Sequence, residues 1–408
     1  MAMSRKITLD FLKTEAASGV ILALAAALAI VLANSPWSAS YFGLIKHPLT
    51  FQAGDIEITK SVLKWIKDGL MTIFFFVVGL EIKYEILRGE LSNPRKLALP
   101  VLGALGGMIV PALIYLAFNI GPGGSVEGWP APVATDIAFA LAALAIAGPR
   151  LPPALRTFLL TLAIADDLGA VVLIATLFTD HIDLIALMGA GAMLVAMVLA
   201  ARWKRSPYVL FAVLAFLVWA FTLESGVNAS IAGVAAAMTI PIEPRRPGER
   251  GMLKQMMDGL HPYVAYGIMP VFAFAAAGFS FSDLSADNLL SPVALGVAAG
   301  LFVGKQIGVF GASALAIRLG LARRPTDSTW LELYGCALLC GVGFTMSLFI
   351  GALAFDAENP TAQSAVRLGV IGGSVLSAAL GMAVLAWSQK QRDRLGTSAP
   401  ASAGHGHG

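Results

Sequence analysis

The stretch Leu162-Ala163-Ile164-Ala165-Asp166-Asp167-Leu168-Gly169-Ala170-Val171-Val172 places two adjacent aspartates inside an otherwise apolar segment. Two further ionisable residues, Asp136 and Lys305, also lie in apolar stretches. A charge at bilayer depth costs at least about 2.5–3.5 kcal/mol on insertion scales. A chain that keeps four such charges is expected to use them, and the movement of an ion or a proton is the use that they indicate.

The composition is that of an integral membrane protein. Of the 408 residues, 57% are hydrophobic and 13% are charged, and the mean hydropathy is +0.78. Soluble domains carry about 25% charged residues, so a large soluble core is excluded. Two cysteines, Cys336 and Cys340, are too few for a disulfide framework or a zinc site and are interpreted as small packing residues. No cofactor and no nucleic-acid partner are expected.

Twelve apolar segments qualify as transmembrane candidates, since a span needs about 20 apolar residues. They are 14–33, 62–83, 97–118, 126–147, 154–178, 182–200, 206–222, 226–240, 254–278, 292–317, 330–354 and 363–387. The basic residues before the first segment imitate a signal peptide, but Glu15 and the length of the run favour a retained span. The predicted fold is therefore an all-α membrane protein with one twelve-span domain over 14–388.

The basic residues predict the orientation, because cytoplasmic loops carry the excess of lysine and arginine. These residues concentrate in the N-terminus, the even-numbered connections and the C-terminus. Residues 1–13 and 389–408 are therefore predicted to be cytoplasmic, and 389–408 to be a disordered tail. Metal binding by His405 and His407 is the less favoured interpretation of that tail.

The first outer connection, about 49–59, has a strand pattern. Leu49-Thr50-Phe51-Gln52 and Ile56-Glu57-Ile58-Thr59 flank Ala53-Gly54-Asp55, which is typical of a β-hairpin. An exposed hairpin edge can pair with its copy in a second protomer. The pattern predicts a homodimer contact here, with an ordinary loop as the alternative.

Two of the predicted spans contain helix breakers. The fourth carries Pro130 and Pro132, which remove backbone donors and bias the preceding residues away from helix. The eleventh carries Gly341 and Gly343 at its centre. Irregular backbone at membrane depth is tolerated only where protein or a cavity shields it.

The two breaks occupy corresponding positions in two three-span units, about 97–178 and 292–387. Each unit has an odd number of spans, and seven spans separate their starts, so the second unit is predicted to be inverted. Paired interruptions of this kind indicate the binding site of a transporter.

Asp136 and Lys305 also have a purely structural interpretation. Broken helices expose partial positive and negative charge at the membrane centre. Asp136 can neutralise the positive N-terminal ends, and Lys305 can neutralise the negative C-terminal ends. This role needs no substrate, and both interpretations stay open.

The aspartate pair is expected to divide its roles. Adjacent helical residues point about 100° apart, so Asp166 and Asp167 cannot share one partner equally. One can face a lysine while the other lines a cavity. Burial and like charge both disfavour ionised carboxylates, so the site can hold protons near neutral pH or a hard cation. Na⁺ or Li⁺ would take carboxylate oxygens together with the Thr135 hydroxyl, carbonyls or water.

The chain resembles the NhaA family of sodium/proton antiporters over nearly its whole length. The matching segments are Phe75-Phe76-Val77-Val78-Gly79-Leu80-Glu81-Ile82-Lys83, Ala134-Thr135-Asp136-Ile137-Ala138-Phe139-Ala140, Ala165-Asp166-Asp167, His261-Pro262, Gly304-Lys305 and Gly341-Val342-Gly343-Phe344-Thr345-Met346-Ser347.

The resemblance implies a dimer in a bacterial inner membrane. It implies electrogenic exchange of about two inward protons for one outward Na⁺ or Li⁺, activated at alkaline pH. Asp167 and Asp166 are then the principal cation and proton carriers. Thr135 and Asp136 assist them, and Lys305 pairs with Asp166 when no cation is bound.

Departures from the family pattern affect regions associated with the pH response. The acidic and histidine residues at the cytoplasmic start of the ninth span are only partly present, as Asp258 and His261. Tyr84 replaces the usual arginine after Glu-Ile-Lys, and Asn228 replaces a frequent histidine. The residues expected to form the cytoplasmic funnel and the pH response are Glu81, Glu85, Asp68, Asp258 and His261. Surface solvation is the alternative interpretation of Glu85.

Two other functions are alternatives. Aspartates on neighbouring spans can activate water in an intramembrane protease, but the adjacent pair, the lysine and the lack of a Gly-x-Gly-Asp stretch oppose that reading. A proton-coupled carrier of organic anions is disfavoured, because three carboxylates and one lysine make a poor anion site.

Overall fold

The protein is described by a computed structural model over residues 2–53, 56–89, 94–178, 182–203, 206–244, 250–281, 286–355 and 359–395. Its α-helices are α1 (Ala2–Ala33), α2 (Ser38–Lys46), α3 (Val62–Trp65), α4 (Met71–Arg88), α5 (Pro94–Asn119), α6 (Ile137–Ala147), α7 (Pro153–Leu177), α8 (Leu184–Arg202), α9 (Tyr208–Glu224), α10 (Ser230–Thr239), α11 (Met252–Tyr263), α12 (Met269–Ala277), α13 (Ala286–Leu289), α14 (Pro292–Ala299), α15 (Gly311–Arg318), α16 (Trp330–Leu339), α17 (Phe344–Ala354) and α18 (Pro360–Arg394).

Wider π-helical stretches join several of these helices into longer rods. They are Ile66–Leu70, Val264–Ile268, Gly300–Gly304 and Gln306–Phe310. A continuous helix therefore runs over Met252–Ala277 and another over Pro292–Arg318.

Six helices in the described part of the chain are long and apolar enough to cross a membrane. They are Leu97–Asn119, Pro153–Leu177, Leu184–Arg202, Met252–Ala277, Pro292–Arg318 and Pro360–Arg394. Two bent pairs raise the number to as many as eight: Ala17–Ala33 with α2 at 114°, and α16 with α17 at 43°. The protein is thus a largely helical, multi-pass membrane protein, while the count of twelve spans stays a prediction.

The predicted hairpin is confirmed in its described strands. β1 (Pro48–Ala53) pairs antiparallel with β2 (Ile56–Ser61), with Thr50 opposite Thr59. The predicted turn residues Gly54 and Asp55 lie outside the described residues.

The predicted disordered tail is wrong over its first residues, because α18 continues to Arg394. The Ser388 hydroxyl donates to Glu332 Oε1 at 3.0 Å, and Arg392 Nη2 donates to Glu332 Oε2 at 3.0 Å. Glu332 lies in the first turn of α16 and is fully buried. These bonds fix the end of α18 against α16; the remainder of the predicted tail, 396–408, lies outside the described residues.

Glycines allow α5 to approach the rod of α14 and α15 very closely. A Cβ on Gly308 would lie 2.1 Å from the Gly106 carbonyl oxygen, and a Cβ on Gly106 would lie 2.3 Å from the Gly308 oxygen. A Cβ on Gly304 would lie 2.7 Å from Pro111 Cα. Lys305 follows Gly304 directly, so this backbone contact sets the position of its side chain.

We expect Gly308→Ala to destabilise the protein by about 1–3 kcal/mol, since the added methyl group overpacks a backbone contact. Gly311→Ala is the matched control on the same rod, because a Cβ there meets nothing within 4 Å. Thermal unfolding of the detergent-solubilised variants measures the difference. Equal stability of the two variants would contradict this account of the crossing.

Candidate ion-binding site

The two broken segments bond to each other rather than to their own helices. Asp136 N donates to Val342 O at 2.7 Å, and the Thr135 hydroxyl donates to Cys340 O at 2.8 Å. The carbonyls that follow α16 have no partner in a continuing helix. The segment that leads into α6 therefore satisfies the open end of α16.

Asp136 stands between two helix N-termini. Its Oδ1 accepts from Phe139 N at 3.1 Å, which caps α6, and its Oδ2 accepts from Thr345 N at 3.1 Å and from the Thr345 hydroxyl. The carboxyl group is fully buried. Because helix N-termini carry partial positive charge, this placement fits the structural role that the sequence left open.

Lys305 lies on the other side of the crossing. Its Nζ is 2.7 Å from Asp166 Oδ2 and also donates to the Val133 carbonyl of the broken segment. Both side chains of the ion pair are fully buried. The lysine thus offsets negative charge from one carboxylate and one backbone carbonyl at once.

Asp167 faces a different environment from its neighbour. It lines a cavity of about 720 Å³, here named the first cavity, together with Glu81, Glu85, Asp258 and His261. Asp167 Oδ1 and Asp166 Oδ1 are buried without a hydrogen-bond partner. The structure therefore gives the two aspartates different surroundings: a buried lysine for Asp166 and a cavity for Asp167.

The mouth of the first cavity collects four of the five residues expected in the funnel. His261 Nδ1 lies 3.5 Å from Glu81 Oε1, and Asp258 lies 3.0 Å from Lys254 Nζ. Lys254 Nζ also lies 5.2 Å from the centre of the Tyr84 ring. The family departure at Tyr84 therefore sits within this charged cluster.

Asp68 does not lie with the other residues expected in the cytoplasmic funnel. It lines a separate cavity of about 1270 Å³, here named the second cavity, and its Oδ2 accepts from Lys60 at 2.6 Å. Glu81 lies thirteen positions after Asp68, which corresponds to about 20 Å of helical rise. The sequence prediction grouped the two residues because both are acidic. The distance instead places them far apart along one helical rod.

Sequence reasoning also missed several participants. Arg250 and Lys254 belong to the basic excess that predicts the orientation, and both also line the first cavity. Thr345 was quoted in a motif without a role, although it binds Asp136. The Lys254 to Asp258 spacing of four residues was the available signal, because it places the two side chains on one helix face.

Crossed interrupted helices around buried carboxylates are typical of secondary transporters. The chain matches the model of the family described as Na+/H+ antiporter 1 over residues 9–385. It is 50% identical over 378 residues to Na(+)/H(+) antiporter NhaA 2 of Pseudomonas syringae pv. syringae, covering 92% of this chain and 93% of that one.

Two further relatives carry the name Na(+)/H(+) antiporter NhaA. The protein of Bordetella parapertussis is 48% identical over 382 residues, covering 92% of this chain and 95% of its own. The protein of Rhodospirillum rubrum is 47% identical over 397 residues, covering 95% and 99%. The chain belongs to the Na+/H+ antiporter 1 family, and it is a secondary transporter rather than an enzyme.

We expect Asp166→Asn to destabilise the protein by about 3–5 kcal/mol, because it leaves Lys305 as a buried, uncompensated charge. The double variant Asp166→Asn with Lys305→Met removes that charge and should recover much of the loss. Asp258→Asn is a control in an exposed ion pair, where a change of at most about 1 kcal/mol is expected. Thermal unfolding in detergent measures all four proteins; a double variant no more stable than Asp166→Asn would refute the charge argument.

Proposed function

We propose that this protein exports Na⁺ in exchange for inward protons, and that the cation and the protons compete for Asp166 and Asp167. The observation that carries the proposal is the unequal environment of the two aspartates. Asp167 lines a cavity of about 720 Å³, while Asp166 is paired with Lys305 at 2.7 Å. One carboxylate can therefore receive a cation from water, and the other has a cationic group to exchange for it.

The proposed cycle couples one cation to about two protons. Na⁺ entering through the first cavity displaces a proton from Asp167 and competes with Lys305 for Asp166. The cation and the Lys305 ammonium group repel each other. Binding of Na⁺ therefore favours release of a second proton, from that ammonium group. Two protons exchanged for one Na⁺ move one net charge, so the exchange is electrogenic.

Li⁺ is a second expected substrate, because it too is a hard cation that takes oxygen ligands. Thr135 and Asp136 complete the proposed site. The Thr135 hydroxyl lies at the crossing, and Asp136 keeps the two N-termini in place through Phe139 and Thr345. These two residues are proposed to assist Asp166 and Asp167 rather than to replace them.

The proposed architecture comprises twelve spans over 14–388, with inverted repeats at about 97–178 and 292–387. The short apolar helices α6, α9 and α10 support this count. Half of a broken span, or a short span packed among its neighbours, has fewer than the about 20 residues of a continuous span. The distribution of lysine and arginine supports cytoplasmic termini in a bacterial inner membrane. In that orientation the first cavity opens to the cytoplasm and the second to the outside.

Activation at alkaline pH is proposed to arise at the mouth of the first cavity. Glu81, Glu85, Asp258 and His261 line it with Arg250 and Lys254, and His261 Nδ1 lies 3.5 Å from Glu81 Oε1. Tyr84 supplies a ring to Lys254 where the family usually has arginine, so the pH profile is the property expected to differ most among relatives.

The exchange is tested in vesicles that hold a pH gradient. Addition of Na⁺ should dissipate the gradient with the wild type and fail to do so with Asp167→Asn, because an amide cannot exchange a proton for a cation. Asp183→Asn is the matched control: Asp183 is an exposed cap of α8, and asparagine also caps helices well.

The same assay, repeated with Li⁺ and across pH, measures cation preference and the rise of activity toward alkaline pH. Full exchange by Asp167→Asn would refute the site assignment, and an inactive wild type would refute the function.

We also propose a homodimer formed through the hairpin. Strands β1 and β2 pair only with each other in the described part of the chain, so each leaves one edge of backbone donors and acceptors open. Such an edge can pair with a second copy of itself. A cross-strand contact of 2.8 Å between the Thr50 and Thr59 hydroxyls supports a defined register.

Deletion of residues 50–58 should convert the dimer to a monomer in detergent, because it removes both open edges. Light scattering or native mass spectrometry gives the oligomeric state, and exchange in vesicles shows that the variant is folded. An unchanged dimer after the deletion would rule out the hairpin as the contact.

A further inference from the structure

The half-helix α17 is held at both ends by groups on other elements. At its N-terminus, Thr345 donates to Asp136. Near its C-terminus, the Ala352 carbonyl accepts a hydrogen bond of 2.7 Å from Lys67 Nζ. Nothing in the exchange site uses Lys67, yet this residue and the site lie at opposite ends of the same short helix.

The chemistry of the Lys67 contact suits a helix end. The last carbonyls of a helix have no partner within it and carry partial negative charge, which a lysine stabilises. Lys67 and Ala352 both line the second cavity, as do Leu353 and Ala354. The contact between Lys67 and Ala352 therefore forms part of the wall of that cavity.

Lys67 stands on an anchored stretch of backbone. It lies in the π-helical segment Ile66–Leu70. The Asp68 carbonyl accepts from Trp219 Nε1 at 2.6 Å and from the Thr72 hydroxyl at 2.7 Å. The bond to Ala352 thus connects α17 to α9 through this segment.

The proposed exchange requires the site to open first to one side of the membrane and then to the other, which is called alternating access. Asp167 lines the first cavity and not the second, so the site is open on one side only. To meet the second cavity, parts that pack across its wall must move relative to each other. The wall contact between Lys67 and Ala352 belongs to the arrangement that is closed on that side.

We propose that Lys67 is a positioning residue that holds α17 in the arrangement closed toward the second cavity, and that opening of that side breaks the Lys67–Ala352 bond. This inference rests on the proposed exchange. It concerns the balance between the two access states rather than the binding of Na⁺ itself.

Loss of the bond shifts that balance in a predictable direction. Lys67→Met should favour the state open to the second cavity, because a hydrogen bond to a charged group contributes about tenfold or more to an equilibrium. Apparent affinity scales with the population of the competent state. The apparent affinity for Na⁺ should therefore rise on the second-cavity side and fall on the first-cavity side, changing their ratio by about tenfold.

The test compares Na⁺-dependent exchange from each face in vesicles of both orientations. Lys67→Arg keeps the positive charge and the N–H donors and should stay close to the wild-type ratio. Lys64→Met is the matched control, because Lys64 is an exposed lysine on the same cavity, three residues away. An unchanged ratio in Lys67→Met, or an equal shift in Lys64→Met, would overturn the proposal.

A second measurement covers the case in which Lys67→Met fails to fold. A short bis-maleimide bridge between Lys67→Cys and Ala352→Cys should stop exchange, while each single cysteine variant stays active after the same treatment. Continued exchange by fully bridged protein would overturn the inference. The wild type and Asp167→Asn run in parallel, so failure of the exchange proposal itself is seen separately, as an inactive wild type or an active Asp167→Asn.

Discussion

The structure depends on the way two broken helices complete each other. Backbone donors and acceptors at membrane depth must find partners within the protein, and each lost pairing costs free energy. Here Asp136 N and the Thr135 hydroxyl donate to carbonyls that follow α16. The Asp136 carboxylate accepts a hydrogen bond from the N-terminus of α17. The ionisable side chains of the region are arranged around these backbone hydrogen bonds. The helix breaks therefore determine both the architecture and the positions of the charged groups.

Much of this arrangement could be read from the sequence, because its causes are local. Pro130, Pro132, Gly341 and Gly343 mark both breaks, and ionisable residues within apolar segments mark the candidate site. What could not be read is which groups meet across the fold. A charge pattern does not show that Asp68 and Glu81 lie at opposite ends of a rod.

Other failures have a similar cause. The predicted disordered tail begins at residue 389, but the bonds of Ser388 and Arg392 to the buried Glu332 hold α18 in helix to Arg394. Resemblance to the NhaA family assigned Lys305 to Asp166, whereas spacing alone required only that the two aspartates face different partners. Tertiary contacts of this kind leave no periodic signal in a single sequence.

The docked end of α18 has a practical consequence for handling the protein. Arg150 lies 3.2 Å from Asp393, and Arg150 N donates to Gln389 at 3.0 Å, so the last turns also touch the connection between α6 and α7. A purification tag or fluorescent fusion joined at residue 388 would remove these contacts together with those of Arg392. Fusion partners belong beyond residue 395, where the docked helix is complete.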